Sequence, residues 1–349
     1  MTEESAHRQT GQATQPDARA GNGDDGSAAF LALRPRLLGI AYRLLGSMWD
    51  AEDVVADAMV RWLRTDRSQV REPAAFLTTV VSRLALDQLR SARATRETYT
   101  GPWLPEPVIA DDTLDPLDSL VKRDTLSLAT LRLMEELTPP ERAVFVLREA
   151  FDVPYGQIAE ILDVSEANAR QLLHRAQTHL AEHHRRTEAD QSRHAELLQR
   201  LLWAAGEGEL SDLEELLAED VVSYNDGGGK ARAALVPVVG RTRIMAFLRG
   251  LRRRFGPASY ARVIEVNGQP AAQFSLGDQD AVATLEVRDG KIVSILTVLN
   301  PDKLSYLHRQ MGGPPVAERG EPRRDPPAAG RRPRAGSRAA THRPRAEGG

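Results

Sequence analysis

Between residues 28 and 183 the apolar positions recur three and four residues apart, the spacing that gathers them on one face of a helix. Ala28–Gly46 is predicted helical, with Phe30, Leu33, Leu37, Leu38, Ile40, Ala41, Leu44 and Leu45 on a broad face, and Gly46-Ser47 ends it. Asp50 opens a second helix in which Val54, Val55, Ala58, Met59 and Trp62 recur at the same spacing. Pro73 starts a third; its first half is apolar (Phe76, Leu77, Val80, Val81, Leu84) and its second bristles with Arg83, Arg90, Arg93 and Arg96. Leu137–Leu180 predicts three more helices. Thr138 can cap the first, with Pro139 in the opening turn and Glu141 closing a capping box. Pro154 starts a short helix, a tight turn follows at Asp163–Val164, and Ser165 caps a last helix with Leu172, Leu173, Ala176 and Leu180 on one stripe. Asp163 stands where such turns usually carry Gly, and Asp tolerates the left-handed conformation required there.

After Arg186 the pattern changes. Helices at Gln191–Gly206 and Leu210–Leu217 precede a strand at Val221–Tyr224, a loop NDGGGK at Asn225–Lys230, a strand at Ala234–Val239 and a basic helix at Thr242–Phe255. Three strands then run to Leu299, with turn signals at Asn267-Gly268, Gly277-Asp278 and Asp289-Gly290. Helices first and an antiparallel meander after predict an α+β cone. The two ends lack either period. Met1–Ser27 and Gly312–Gly349 are expected to be disordered, and from Pro315 the tail holds nine Arg against four acids, net +5. That tail is either an inert extension or a modest, salt-sensitive aid to DNA affinity.

A length of 349 residues fits two or three domains. The pattern divides the chain at residues 28–97, 98–122, 123–186 and 192–309. The formal net charge of -3 hides a segregation. Arg61–Glu97 holds eight Arg against four acids, whereas Gly101–Leu120 holds five acids and no base. There is no cysteine, which excludes disulfides, thiolate zinc sites and thiol redox sensing. No apolar run is long enough to span a membrane and the polar N-terminus is not a signal peptide. A soluble cytoplasmic protein without metal or cofactor is expected.

Three surfaces carry candidate chemistry. The last helix of the Leu137–Leu180 segment presents Glu166, Asn168, Arg170, Gln171, His174 and Arg175 opposite its apolar stripe, side chains that reach base edges and phosphates when a recognition helix lies in a major groove. The bland alternative is a three-helix bundle. On the second helix Asp53, Asp57 and Arg61 follow at four-residue steps, either as a solvated face with an Asp57–Arg61 pair or as an acidic docking surface for a basic partner. The cationic half of the third helix suits a phosphate backbone. Between them, Gly101–Leu120 has four prolines and no helical period. It reads as an acidic spacer with one exposed-looking aromatic, Trp103, although Trp-Leu-Pro-Glu-Pro is stiff and apolar enough to dock.

The order of these motifs, D-A-E-D, then F-L-x(10)-D-x-L-R, the linker, L-T-P-P-E-R-A-V-F-V-L-R and S-E-A-N-A-R-Q-L-L-H-R-A, resembles the bacterial extracytoplasmic-function sigma factors over roughly Ala28–His183. The resemblance implies two all-α sigma domains: region 2, which binds core RNA polymerase and the −10 element, and the region 4 helix-turn-helix, which reads the −35 element. It puts Asp50, Glu52, Asp53 and Asp57 against the clamp helices of the β′ subunit and region 4 near the β flap. Arg83, Asp87, Arg90 and Arg93 fall in the segment that handles −10 DNA, and Glu166–Arg175 supplies the −35 helix. Many members carry Asn where this chain has Arg83. The acidic linker resembles the segment members thread through the polymerase's cationic channels. About Arg193–Leu307 resembles the SnoaL-like branch of the nuclear-transport-factor-2-like fold, and the whole chain looks like the SigJ-like members that carry this domain as a C-terminal fusion. That implies an intramolecular regulator contacting regions 2 and 4 through Trp103, Leu104 and Pro105, the loop Asp226, Gly227, Gly228, Gly229 and Lys230, and the segment Asn300, Pro301, Asp302, Lys303 and Leu304.

Two other functions stay open. The same cone hosts isomerases and cyclases that use an Asp or His as general base, and Asp226 is the one obvious candidate, in a Gly-rich loop beside Lys230 where anion binding is conceivable. A one-component helix-turn-helix regulator would bind its operator without polymerase, and would leave the Asp50–Asp57 face and the Arg83–Arg96 helix without a role.

Overall fold

The computed structural model describes residues 22–110, 114, 120–183, 191–206 and 213–315. Most of the expected disordered ends, Met1–Ser27 and Gly312–Gly349, lie outside the described residues. Helix α1 (Asn22–Leu45) nevertheless starts six residues ahead of the expected boundary and passes through Pro35. Helix α2 (Met48–Arg64) is capped by Ser47, whose hydroxyl accepts from the Asp50 amide. Helix α3 spans Pro73–Glu97. The three bury the faces their spacing marked: Leu37, Leu38 and Leu44, then Val54, Val55, Ala58 and Trp62, then Leu77 and Val81, which Ala85 and Leu89 extend.

Two short helices that the pattern did not reveal, α4 (Leu120–Leu126) and α5 (Leu128–Leu133), lead into the next unit. Helix α6 (Pro139–Phe145) has the expected capping box between Thr138 and Glu141. It runs on as a wider π turn, Val146–Ala150. Helix α7 (Tyr155–Leu162) ends at Asp163, which adopts φ 56, ψ 50, the left-handed conformation anticipated for it. Helix α8 (Glu166–His183) follows, with the Asn168 amide donating to Ser165 Oγ at 3.2 Å. Ala169, Leu173, Ala176 and Leu180 are its buried stripe; Leu172 is only half-buried. The apolar core is continuous from α1–α3 into α6–α8.

The remaining half is a helix-and-sheet fold of the expected α+β class. Helix α9 (Gln191–Gly206) precedes strand β1 (Leu217–Asp226), a two-residue β2 (Val238–Val239) and helix α10 (Arg241–Phe255). Strands β3 (Ala261–Val266), β4 (Gln269–Leu276), β5 (Gln279–Arg288) and β6 (Lys291–Val298) lead to helix α11 (Pro301–Gln310). The sheet order is β2-β1-β6-β5-β4-β3. Only the β1–β6 pair is parallel. Four strands, not three, follow α10, because each of the three turn signals closes a hairpin. The expected Ala234–Val239 strand shrinks to its last two residues, with Leu235 and Val236 exposed. Leu217 begins β1 rather than ending a helix, and β1 continues to Asp226, so that residue closes a strand instead of sitting in the loop.

The two faces of the sheet have different neighbours. Ala272, Leu285, Val287 and Ile295 pack on Leu197, Leu198 and Leu201 of α9 and on Ile244 and Met245 of α10. Val282, Leu296 and Val298 on the other face pack on Leu104 of the linker, Leu128 of α5, and Leu304 and Leu307 of α11. The linker is therefore part of the core. Among the described residues no helix is long and apolar enough to cross a membrane.

Candidate functional site

The end of β1, the start of α11 and the Pro-rich linker meet around one buried carboxylate. Asp226 is fully buried. It accepts from the Tyr99 hydroxyl at 2.6 Å and the Leu104 amide at 2.8 Å, and pairs with Lys303 Nζ at 2.6 Å. Lys303 also donates to the Leu104 carbonyl. Burial pushes its ammonium down to about 8, with Asp226 pulling the other way. Asn300 caps α11 by accepting from the Asp302 amide, passes its own amide group to the Tyr99 oxygen at 2.8 Å, and leaves Pro301 in the first turn. Gly228 has φ 57, and a Cβ there would come within 2.3 Å of the Asn300 side chain; the loop is tight rather than floppy. Lys230 is paired with Asp302. Both charged groups of this loop are already paired, Lys230 at the surface and Asp226 with three buried partners. A free general base, as an isomerase would require, is absent from this position.

Trp103 is half-buried, not exposed, with the Arg96 guanidinium 3.9 Å and the Lys303 ammonium 4.0 Å from its ring. Gly46, at φ 70, lets the indole approach: a Cβ there would meet the ring at 2.7 Å. Leu104 and Pro105 are buried. The W-L-P, D-G-G-G-K and N-P-D-K-L segments thus meet here, through Trp103 and Leu104, Asp226 and Lys230, and Asn300, Asp302 and Lys303. Of the two readings of this stretch, inert spacer and docking segment, the second holds, because an apolar, proline-stiffened strand loses little chain entropy on docking.

Residues that no motif marks complete the junction. Glu106 is buried, accepts from the Met48 amide at 2.7 Å and so caps α2; burial raises its carboxyl pKa. The β3–β4 turn inserts Asn267, fully buried at φ 55. Its amide group donates to the Tyr42 hydroxyl at 2.7 Å and the Leu126 carbonyl at 2.9 Å, while its oxygen accepts from the Val108 amide. An Asn-Gly pair signals a hairpin; nothing in it signals that the tip is a plug.

On α2, Asp53 and Asp57 are exposed and Asp50 half-buried. The anticipated Asp57–Arg61 pair does not form among the described residues. Glu52 instead holds Arg309 of α11 at 3.0 and 3.1 Å, the Tyr306 hydroxyl at 3.1 Å and, more loosely, Arg34 at 3.7 Å. Beside it Trp49 meets the Tyr306 ring edge-on at 5.4 Å and donates to Ser305 Oγ. The Asn-Pro start followed by Leu304 and Leu307 at helical spacing is a helix signature, and it is the sequence basis of α11.

On α3, Arg83, Asp87 and Arg90 are exposed. Arg83 donates to the Glu160 carbonyl of α7 at 2.6 Å, and Asp87 pairs with Arg90 at 3.4 Å. The side chain of Arg93 lies outside the described residues. Gln157 of α7 also reaches back to the Ala75 carbonyl at 2.7 Å, and Glu135 bridges Arg96 and the buried Arg142. The two helical units are therefore held together by polar contacts as well as by their shared core. On α8 all six residues of the proposed reading face, Glu166, Asn168, Arg170, Gln171, His174 and Arg175, are exposed. Arg170 is tied locally, to Glu166 at 2.8 Å and over the Tyr155 ring at 4.7 Å.

With this geometry in place, comparison with known proteins is direct. Residues 29–95 match the model of sigma-70 region 2 and residues 127–180 that of sigma-70 region 4. The chain is 39% identical over 302 residues to the extracytoplasmic-function RNA polymerase sigma factor SigJ of Mycobacterium tuberculosis, covering 83% of this chain and 94% of the relative. It is 33% identical over 298 residues to the probable sigma factor SigI of the same species, covering 83% and 98%. The crystal structure of M. tuberculosis SigJ superposes with a TM-score of 0.67 at 37% identity, over 80% of this chain and 98% of that one. The match runs through the helical half, the linker and the sheet alike, and on it this chain belongs to the extracytoplasmic-function family of RNA polymerase sigma factors.

Proposed function

We propose that this sigma factor engages core polymerase through Asp50, Glu52, Asp53 and Asp57 of α2, handles −10 DNA with Arg83, Asp87, Arg90 and Arg93 of α3, and reads the −35 element with Glu166–Arg175 of α8. Like its relatives it is a transcription initiation factor and not an enzyme; its partners are core polymerase and promoter DNA. The C-terminal domain acts as a built-in gate. The observation that carries this reading is the grip of α11 on Glu52, where Arg309 and Tyr306 occupy one of the four acids assigned to the polymerase. A basic side chain on an acidic docking face is what a competitor for a basic partner surface should present. The contact is reinforced by tethering, which sustains a weak interaction at an effective concentration of roughly millimolar. Arg83 adds a second restraint, since its bond to Glu160 ties the −10 segment to the −35 unit. In this arrangement the protein rests closed, and core polymerase has to displace α11.

The test is affinity for core. Arg309 is about half exposed, so its pair with Glu52 is worth under about 1 kcal/mol. Arg309→Glu, which also adds repulsion, is expected to raise core affinity roughly fivefold, whereas Asp53→Lys/Asp57→Lys should abolish binding. Unchanged affinity for Arg309→Glu removes the gate, and unchanged affinity for the α2 reversals removes the docking assignment.

A further inference from the structure

Helix α10 carries six arginines and no acid. Arg241 is used internally, paired with Glu219 at 3.4 Å. Arg243, Arg249, Arg253 and Arg254 are exposed. At 100° per residue Arg243, Arg253 and Arg254 fall on the half of the helix opposite the buried Ile244 and Met245, and Arg249, one turn on from Met245, lies at the edge of that half. None of these four is in an ion pair among the described residues, and Arg254 is only stacked over the Phe255 ring at 5.5 Å. A solvated helix face normally alternates signs, because pairs of opposite charge three or four residues apart support the helix. Here like charges recur along about 16 Å of axis.

A second observation lies at the centre of the stripe. Gly250 sits in mid-helix, where glycine weakens the helix relative to alanine. No atom comes within 4 Å of the Cβ it lacks. Nothing inside the chain asks for glycine there. With the exposed Ala246 one turn earlier, it leaves a flat, closely approachable strip between flanking guanidinium groups.

We propose that this face of α10 is a further DNA contact, binding the phosphate backbone of a duplex without regard to sequence. Duplex DNA presents charge every few ångströms along a span of this length, guanidinium groups bind phosphate oxygens in pairs, and the bare strip lets the backbone come close. The family already places the chain on promoter DNA, so the polyanion is at hand. Glu214 and Glu219 flank the Arg241 end of the helix, which puts the working surplus at Arg249, Arg253 and Arg254. The assignment is independent of the contact between α11 and Glu52.

The test is fluorescence anisotropy of the full-length chain, without core, on a labelled random-sequence duplex of about 30 base pairs, between about 50 and 200 mM salt. Arg249→Gln/Arg253→Gln/Arg254→Gln should lower affinity roughly tenfold at the low-salt end. It should also flatten the slope of log affinity against log salt by about 2.7, or 0.9 for each lost contact. The corresponding triple Lys variant should keep most of both. Gly250→Glu, which introduces a better helix former, should melt no lower than wild type yet bind DNA more weakly. Three results overturn the proposal: no measurable binding by the wild type at about 50 mM salt, an unchanged slope in the Gln variant, or a loss confined to binding of polyglutamate, which would assign the stripe to an acidic protein.

Discussion

Replacing Lys303 by Met tests whether the buried pair with Asp226 holds the linker onto the sheet. The lysine and aspartate side chains are 8% and 0% exposed and their charged atoms lie 2.6 Å apart. Removing one partner strands the other: Asp226 keeps the Tyr99 hydroxyl and the Leu104 amide but loses its only cation among the described contacts. Breaking a buried pair this way costs about 3–5 kcal/mol, most of it from the uncompensated charge. The released carboxylate can regain water only if the linker lifts away. The opening equilibrium of the linker should therefore shift on the order of a hundredfold or more. Hydrogen exchange read by mass spectrometry over residues 102–110 reports this directly, because the Leu104, Val108 and Ile109 amides donate to Asp226, Asn267 and Gln310. Exchange there should accelerate while the α6–α8 amides hold. Asp226→Asn/Lys303→Met, which is neutral and keeps an acceptor, should recover most of the protection. Wild-type exchange in Lys303→Met would refute the reasoning, and so would a double variant as open as the single one.

Two further outcomes follow from the buried polar groups. Asn267→Ala leaves the Leu126 carbonyl and Val108 amide without partners and puts a non-glycine, non-Asn residue at φ 55; a loss of about 1–3 kcal/mol in denaturant unfolding is expected, with faster exchange at Val108. His194 is buried, which lowers its pKa to about 4. The unfolded chain, with an ordinary histidine near 6.5, binds the extra proton first, so stability present above pH 6.5 is lost as pH falls towards 4. That loss amounts to at most about 3 kcal/mol, and His194→Gln should flatten this part of the pH–stability profile.

How much of this could be read in the chain depended on the range of the interaction concerned. Helices α1–α3 and α6–α8 were legible because their apolar stripes are local, as are the Thr138–Glu141 box and the Ser165 cap, which act within a turn; α2 instead starts at Met48, two residues ahead of the expected Asp50, with Ser47 as its cap. The reading face of α8 followed from the same periodicity, being whatever the buried stripe leaves exposed. The D-G-G-G-K and N-P-D-K-L segments were visible as motifs, but not the reason for them, since Asp226 meets Tyr99, Leu104 and Lys303 across 127, 122 and 77 residues of sequence. The burial of Trp103 is hidden for the same reason: an aromatic in a proline-rich stretch reads as exposed until the arginine and lysine that enclose it are folded onto it. The strand count failed at a different point. Three hairpin turns require four strands, and Ala234–Val239, apolar enough for a strand, has only the short β1 edge near Val222 and Ser223 to pair with. The plug at Asn267 left no signal at all, because its partners belong to three separate segments.

The most direct test of the account is run-off transcription with purified core polymerase on the DNA upstream of the gene, with and without the full-length chain. A discrete promoter-specific transcript is expected only when the chain is present, stronger with Arg309→Glu than with wild type, and lost when Asn168, Arg170, Gln171 and Arg175 of α8 are changed to Ala. No transcript and no retention on core, together with a footprint made by the protein alone, would contradict it.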